Sequence, residues 1–209
     1  ADTLIVGQCI GANALAAVGS AYTLMVFLIS ILLGLSMGSG TVFSLQYGAG
    51  DLSALRRSIY VSLLLIGTVT ILLNVAVFLW LDPILRWLQV PYDIYSLMRN
   101  YLWIIFWGIV FTFLYNFYAA LLRAVGDSVT PLWFLAVSVV LNIGLDLFLI
   151  LVLDQGIEGA AVATVIAQGT AASGILLYTY KIRPELRLHR EDMCFDRSSL
   201  REITSFSTL

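Results

Sequence analysis

The chain has 209 residues, of which 60% are apolar and 11% charged, with a formal net charge of −2 and a mean hydropathy of +0.95. A water-soluble domain needs roughly a quarter of its residues charged to cover its surface, so this composition excludes one and leaves lipid over most of the exterior. Open strands would leave backbone groups unsatisfied in hydrocarbon, so the expected fold is all-α, a polytopic membrane helix bundle. No nucleic-acid partner is expected. Cys9 and Cys194 lie far apart and match no metal or redox spacing, so each is read as a small unpaired residue.

Charged residues mark the ends of the spans. The uncharged run from Thr3 to Gly50 would extend on the order of 70 Å as one helix, so it has to break, and Gly11-Ala12-Asn13 is the place where turn-prone residues interrupt the apolar pattern. That gives a partial first helix over 1–10, expected to lack its earlier turns, and a second helix over 14–47. Gly34, Gly38 and Gly40 either bend this helix or let a neighbour approach closely, and close packing is the preferred reading. Further spans are expected over 58–81, 99–122, 131–153 and 159–180, each near the length of about 20 residues that a bilayer core requires. Pro83 and Pro91 are placed in the loop before the fourth helix, Pro131 in the first turn of the fifth, and Pro184 at the end of the last. Residues 1–180 thus form a membrane lobe, and 181–209 a linker that continues from it.

Orientation follows from the basic residues. Arg56, Arg57, Arg123, Lys181, Arg183, Arg187, Arg190, Arg197 and Arg201 fall on one side, and only Arg86 and Arg99 on the other. The positive-inside rule makes the first side cytoplasmic. Trp80, Trp87 and Trp103 then cluster near the outer boundary.

Asp146 is the strongest candidate for chemistry. A carboxylate within a span costs about 2.5–3.5 kcal/mol to insert, so it faces the bundle interior and serves a function. Asn142 precedes it by one turn on the same face, and its amide can donate to the ionised acid or accept from the protonated one. Low dielectric disfavours the charged form and a nearby cation favours it, which makes the pair a proton or sodium switch. Thr164 and Gln168 form a second pair on the next, antiparallel helix, with Thr164 at about the depth of Asp146. Asp2 lies about two turns before the break at Gly11, at a comparable depth. Gly48-Ala49-Gly50-Asp51 matches the GxGD pattern of intramembrane aspartyl proteases, but LSALRRS follows it and places Asp51 at the surface. A glycine-ended helix with a capped successor is the preferred reading there. His189 is the only histidine, which leaves histidine-based metal and triad chemistry little to use, and no phosphate-binding glycine loop appears.

Five stretches, DTLIVGQCIGANALAAVG, GLSMGSGTVFSLQYGAGD, AALLRAVGDSVTPL, LNIGLDLFLI and GIEGAAVATVIAQ, occur in this order from Asp2 to about Gln168. Together they resemble the multidrug and toxic compound extrusion (MATE) family. The resemblance implies one six-helix lobe of a twelve-helix transporter, with its first helix truncated and a second lobe of the same polypeptide as partner. It implies a cation site made by Asp2, Asn142, Asp146 and Thr164, with Gln168 as possible additional polar lining. It further implies a cell-membrane antiporter, not an enzyme, that exports organic and often cationic compounds in exchange for protons or sodium and uses no other cofactor. A flippase for lipid-linked sugars with the same fold is the nearest alternative, although the spans contain no basic residue to line a cationic groove.

Overall fold

The computed structural model describes residues 2–87 and 89–188, with the side chains of residues 2–4, 9, 12 and 13 outside the description. His189, Cys194 and the basic residues beyond position 188 also lie outside it. Seven α-helices follow in order: α1 Asp2–Cys9, α2 Ala12–Gly48, α3 Leu52–Trp87, α4 Tyr92–Trp107, α5 Ile109–Ala124, α6 Val129–Leu147 and α7 Gly156–Ile182. A π-helical turn, Phe148–Val152, extends α6, and a 3-10 turn, Pro184–Leu186, follows α7. Among the described residues there is no strand. Helices α2, α3, α6 with its π turn, and α7 are each long and apolar enough to cross a membrane, and α4 with α5 makes a fifth, bent span.

The break after α1 falls where the turn residues predict it, with Gly11 at φ 117°, a conformation that side chains disfavour. Helix α2 then runs unbroken through its glycines. At Gly40 a Cβ would lie 3.5 Å from Ala120 Cβ, so this glycine brings α2 against α5. Phe43 of α2 and Phe117 of α5, both fully buried, meet edge-on in the same seam at 5.9 Å.

Two expectations need correction. Pro83 does not sit in a loop: α3 continues through it to Trp87. Proline lacks an N–H and its ring crowds the carbonyl four residues back, so the helix kinks, and Trp80 takes the non-helical angles φ −110° and ψ 16°. The fourth span is not one straight helix over 99–122. It starts at Tyr92 and breaks between Trp107 and Ile109, with a bend of 43°. Charge counting places span limits but carries no signal for such a break.

The two ends of the bundle are tied by polar contacts. At one end Arg99 Nε donates to Asp82 Oδ1 at 2.8 Å, joining α4 to α3, and Asn100 Nδ2 donates to Glu158 Oε1 at 2.8 Å, joining α4 to α7. At the other end Asp51 accepts from the Ala54 N–H at 2.9 Å and caps α3. Asp127 caps α6 through the Thr130 N–H at 3.0 Å and hydroxyl at 2.8 Å, and meets Arg183 at 3.6 Å.

Burial alone opposes ionisation of Asp127, but the Thr130 donors and the Arg183 guanidinium outweigh it and hold the carboxyl below its ordinary value. The stabilisation this gives is complete above the ordinary carboxylate range and is lost as pH falls through that range toward the depressed value. Asp127→Ala is therefore expected to lower stability at neutral pH by about 0.5–2 kcal/mol, the usual cost of a lost cap. It should also flatten the acid limb of the thermal-midpoint profile between about pH 5 and about pH 3. An acid limb as steep as that of the parent protein would contradict this assignment.

Candidate functional site

Helix α6 is built inside out. Its buried positions are Pro131, Ser138 and Asp146, whereas Leu132, Trp133, Val137, Val140 and Leu147 are exposed. Seven- and eight-residue steps along a helix return to nearly the same face, so these three positions form one stripe. That stripe faces α7, the helix against which α6 chiefly packs.

The seam between the two helices is held by side chains. Ser138 Oγ donates to the Ala167 carbonyl at 2.9 Å. One turn on, Asn142 Nδ2 donates to Thr164 Oγ1 at 3.3 Å, and the Thr164 hydroxyl donates to the Ala160 carbonyl at 3.0 Å. This antiparallel register carries the next turn, with Asp146, to the level of Ala160. Asp146 is wholly buried. Ala160, Ala161 and Ala163 are fully buried in α7, and small side chains of this kind let neighbouring helices approach closely. The π turn begins two residues after Asp146, and such local widening is frequent at functional sites.

The structure thus joins Asn142 to Thr164 directly and puts Asp146 on the same stripe. The backbone of α1, which carries Asp2, packs against both α6 and α7; the Asp2 side chain lies outside the described residues. Gln168 follows Thr164 by one turn of α7. Its carboxamide lies against Gly108, at the break between α4 and α5, where a Cβ would come within 2.6 Å of Oε1. Asp51 sits in the α2–α3 connection, engaged in its cap and exposed, as its LSALRRS context requires.

Beside the seam a cleft of ≈ 510 Å³ opens between α5, α6 and α7, lined by Thr112, Tyr115, Asn116, Ser138, Gln168 and Arg123. A second cleft of ≈ 590 Å³ lies between α2 and α5, with Met37, Thr41 and Ser44 on one side and Asn116 and Arg123 on the other. Each has the size of a small-molecule site. Asn116 and Arg123 line both, so α5 is the wall the two clefts share. Sequence reasoning missed Asn74, Thr112 and Asn116, because it tracked charge, and these uncharged amides and hydroxyls sit inside charge-free runs. Counting Asn and Gln within spans would have found the two asparagines.

The family profile MatE matches residues 1–148. The chain belongs to the MatE family. It is 38% identical over 180 residues to the probable multidrug resistance protein YpnP of Bacillus subtilis (strain 168), covering 86% of this chain and 40% of that protein. It is 32% identical over 170 residues to the multidrug export protein MepA of Staphylococcus aureus, covering 78% and 37%. This MatE chain therefore spans about two fifths of the length of the curated relatives it matches. Its fold is that of solved MATE transporters. It superposes on an inward-facing multidrug resistance MATE family transporter with a TM-score of 0.93 at 22% identity, covering 99% of this chain and 47% of that one. The match to an outward-facing structure has a TM-score of 0.91 at 23% identity, with coverage of 99% and 47%. The family consists of transporters, not enzymes, and this MatE member is a multi-pass membrane protein.

Proposed function

We propose that the full-length protein exports organic, often cationic, compounds across the cell membrane in exchange for protons or sodium ions, with this chain as its N-terminal lobe. Asp146, Asn142, Thr164 and Asp2 form the cation site. The observation that carries the reading is the Asn142–Thr164 hydrogen bond across the α6–α7 seam, next to a fully buried carboxylate. A multidrug transporter needs a titratable group shielded from bulk water and a wall that many ligands can contact. The buried stripe supplies the first, and the uncharged amides and hydroxyls of the two clefts supply the second.

In this mechanism a cation entering from outside neutralises Asp146 and draws on the oxygens of Asn142 and Thr164. The seam between α6 and α7 then repacks, and the lobe favours one of its two facing states, as alternating access requires. Substrate held by the shared α5 wall leaves as its contacts change. The similar superposition of this lobe on inward- and outward-facing transporters supports changes of small amplitude within the lobe.

The test is efflux of ethidium from vesicles containing the full-length protein, with pH and sodium gradients imposed separately. Efflux driven by one gradient and not the other is expected. Equal efflux with both gradients collapsed would overturn antiport, and movement of lipid-linked sugar in place of ethidium would favour a flippase.

A further inference from the structure

The α4–α5 break has two amide side chains against it. On one side Asn74 of α3 donates through Nδ2 to the Phe106 carbonyl at 2.7 Å. A helix break leaves carbonyls without their usual partners, and a buried one needs a donor from elsewhere. On the other side Gln168 of α7 fills the notch at Gly108. The backbone of Gly108 is ordinary right-handed helix, φ −73° and ψ −17°, so glycine is not required there for its conformational freedom. Space is short there: a Cβ would lie 2.6 Å from Gln168 Oε1, 3.0 Å from the Ile105 carbonyl oxygen and 3.2 Å from Val165 Cγ2, so an added methyl would displace the Gln168 carboxamide.

Gln168 also stands one helical turn, about 6 Å, from Thr164 on the same face of α7. From the notch a ladder of hydrogen bonds runs down α5 into the cleft. Thr112 Oγ1 donates to the Gly108 carbonyl at 3.2 Å, and Asn116 Nδ2 donates to the Thr112 carbonyl at 2.8 Å. Above the break, α4 is fixed to α3 and α7 by the Arg99–Asp82 and Asn100–Glu158 contacts. A displacement of Gln168 is therefore taken up below the break, by α5. A small pocket of ≈ 10 Å³, bordered by Met25, Ile29, Phe106 and Ile109, lies beside Gln168 and Thr112.

We propose that Gln168 is the positioning residue through which the cation site acts on the α5 wall of the substrate clefts, by setting the bend at Gly108. This rests on the cation-site reading above and gives Gln168 a role other than ion ligand. Occupation of the site at Asn142 and Thr164 shifts that face of α7; one turn away Gln168 presses on or withdraws from Gly108; Thr112 and Asn116 then change their presentation to substrate. The quantity transmitted is a coupling between ion and substrate affinity, and such a path is established only by measuring that coupling.

The experiment uses purified full-length transporter and reads two affinities. One is for the coupling ion, as sodium or as protons by pH titration, and the other is for ethidium with the ion absent and saturating. In the parent protein the ion is expected to change ethidium affinity by about tenfold or more. Gln168→Ala should keep ion affinity within about threefold and bring the ethidium effect to within about twofold. Gln168→Met, which preserves side-chain length, should retain most of the coupling. Gly108→Ala should reduce coupling, and should reduce it less in the Gln168→Ala background, where the Gln168 oxygen is gone and only the Ile105 and Val165 contacts remain.

The proposal is overturned if Gln168→Ala leaves coupling intact, or if ion affinity falls in step with coupling, which would make Gln168 an ion ligand. It is also overturned if Gly108→Ala is equally harmful in both backgrounds, or if the parent protein shows no coupling. Ion affinity in Asp146→Asn tests the cation site separately, so failure of the one is distinguishable from failure of the other.

Discussion

Asp146→Asn in the full-length transporter should abolish cation-driven efflux while leaving the protein folded and at normal abundance. Asparagine matches aspartate in size, so the packing of a wholly buried side chain is kept. What it loses is the charge that balances a bound cation and the ability to take up a proton. The expected loss of ion affinity is at least about 100-fold, or about 2.7 kcal/mol. Stability should hold or rise, since a carboxylate within a span costs about 2.5–3.5 kcal/mol to place there and an amide costs less. The two readouts move differently, which separates a functional carboxylate from a structural clamp. A clamp would lose thermal stability on substitution and keep its ion response. Efflux at the parental rate, driven by the same gradient, would sink the mechanism.

Gly159→Val should weaken both the fold and the ion site. Gly159, on the first turn of α7, lies against the π turn that extends α6: a Cβ there would be 3.1 Å from Leu149 Cβ and 3.4 Å from the Leu149 backbone carbon. Gln155 Cβ is equally close at 3.1 Å, and Cβ atoms are fixed by their backbone and cannot rotate away. Valine adds two further methyl groups in that space, and overpacking of this kind costs about 1–3 kcal/mol. The turn can give way only by shifting α6 near Asp146, so ion affinity should fall together with the thermal midpoint. Gly144→Ala is the control, because a Cβ on that glycine meets nothing within 4 Å, and it should be neutral in both measurements. If Gly159→Val matched the control, the π turn would not be what holds Asp146 in place.

Much of this was legible in the amino-acid sequence, for identifiable reasons. A carboxylate in hydrocarbon is costly enough to mark its own position, and Asn142 one turn away marks its face. Helical spacing and antiparallel packing then carry the argument across to Thr164, which the structure joins to Asn142. Gly11 and Gly50 take the left-handed backbone that ends a helix, so their positions punctuate the chain reliably.

What escaped was information that a local pattern does not contain. Pro83 resembles a loop residue because proline usually ends helices, yet α3 is held through it by packing, with Leu81 and Leu85 both buried. The break at Gly108 is met by Gln168 from a helix 60 residues further along and by Asn74 from a third, neither of which is local in sequence. Spacing pairs Gln168 with Thr164 on one face of α7, but its neighbour is the notch at Gly108, between α4 and α5. A periodicity argument assigns a residue to a face; it does not say which of two adjacent helices that face touches.

The inverted build of α6 divides that helix into two classes of mutational freedom. Its outward positions away from the cleft, such as Val137 and Val140, need only be apolar, so one aliphatic side chain can replace another there while the cation site is untouched. On the inward side Ser138 and Asn142 are each tied to a particular atom of α7, so a change at either calls for a matching change across the seam. The helix can thus drift in sequence along its outward face without any alteration of its chemistry.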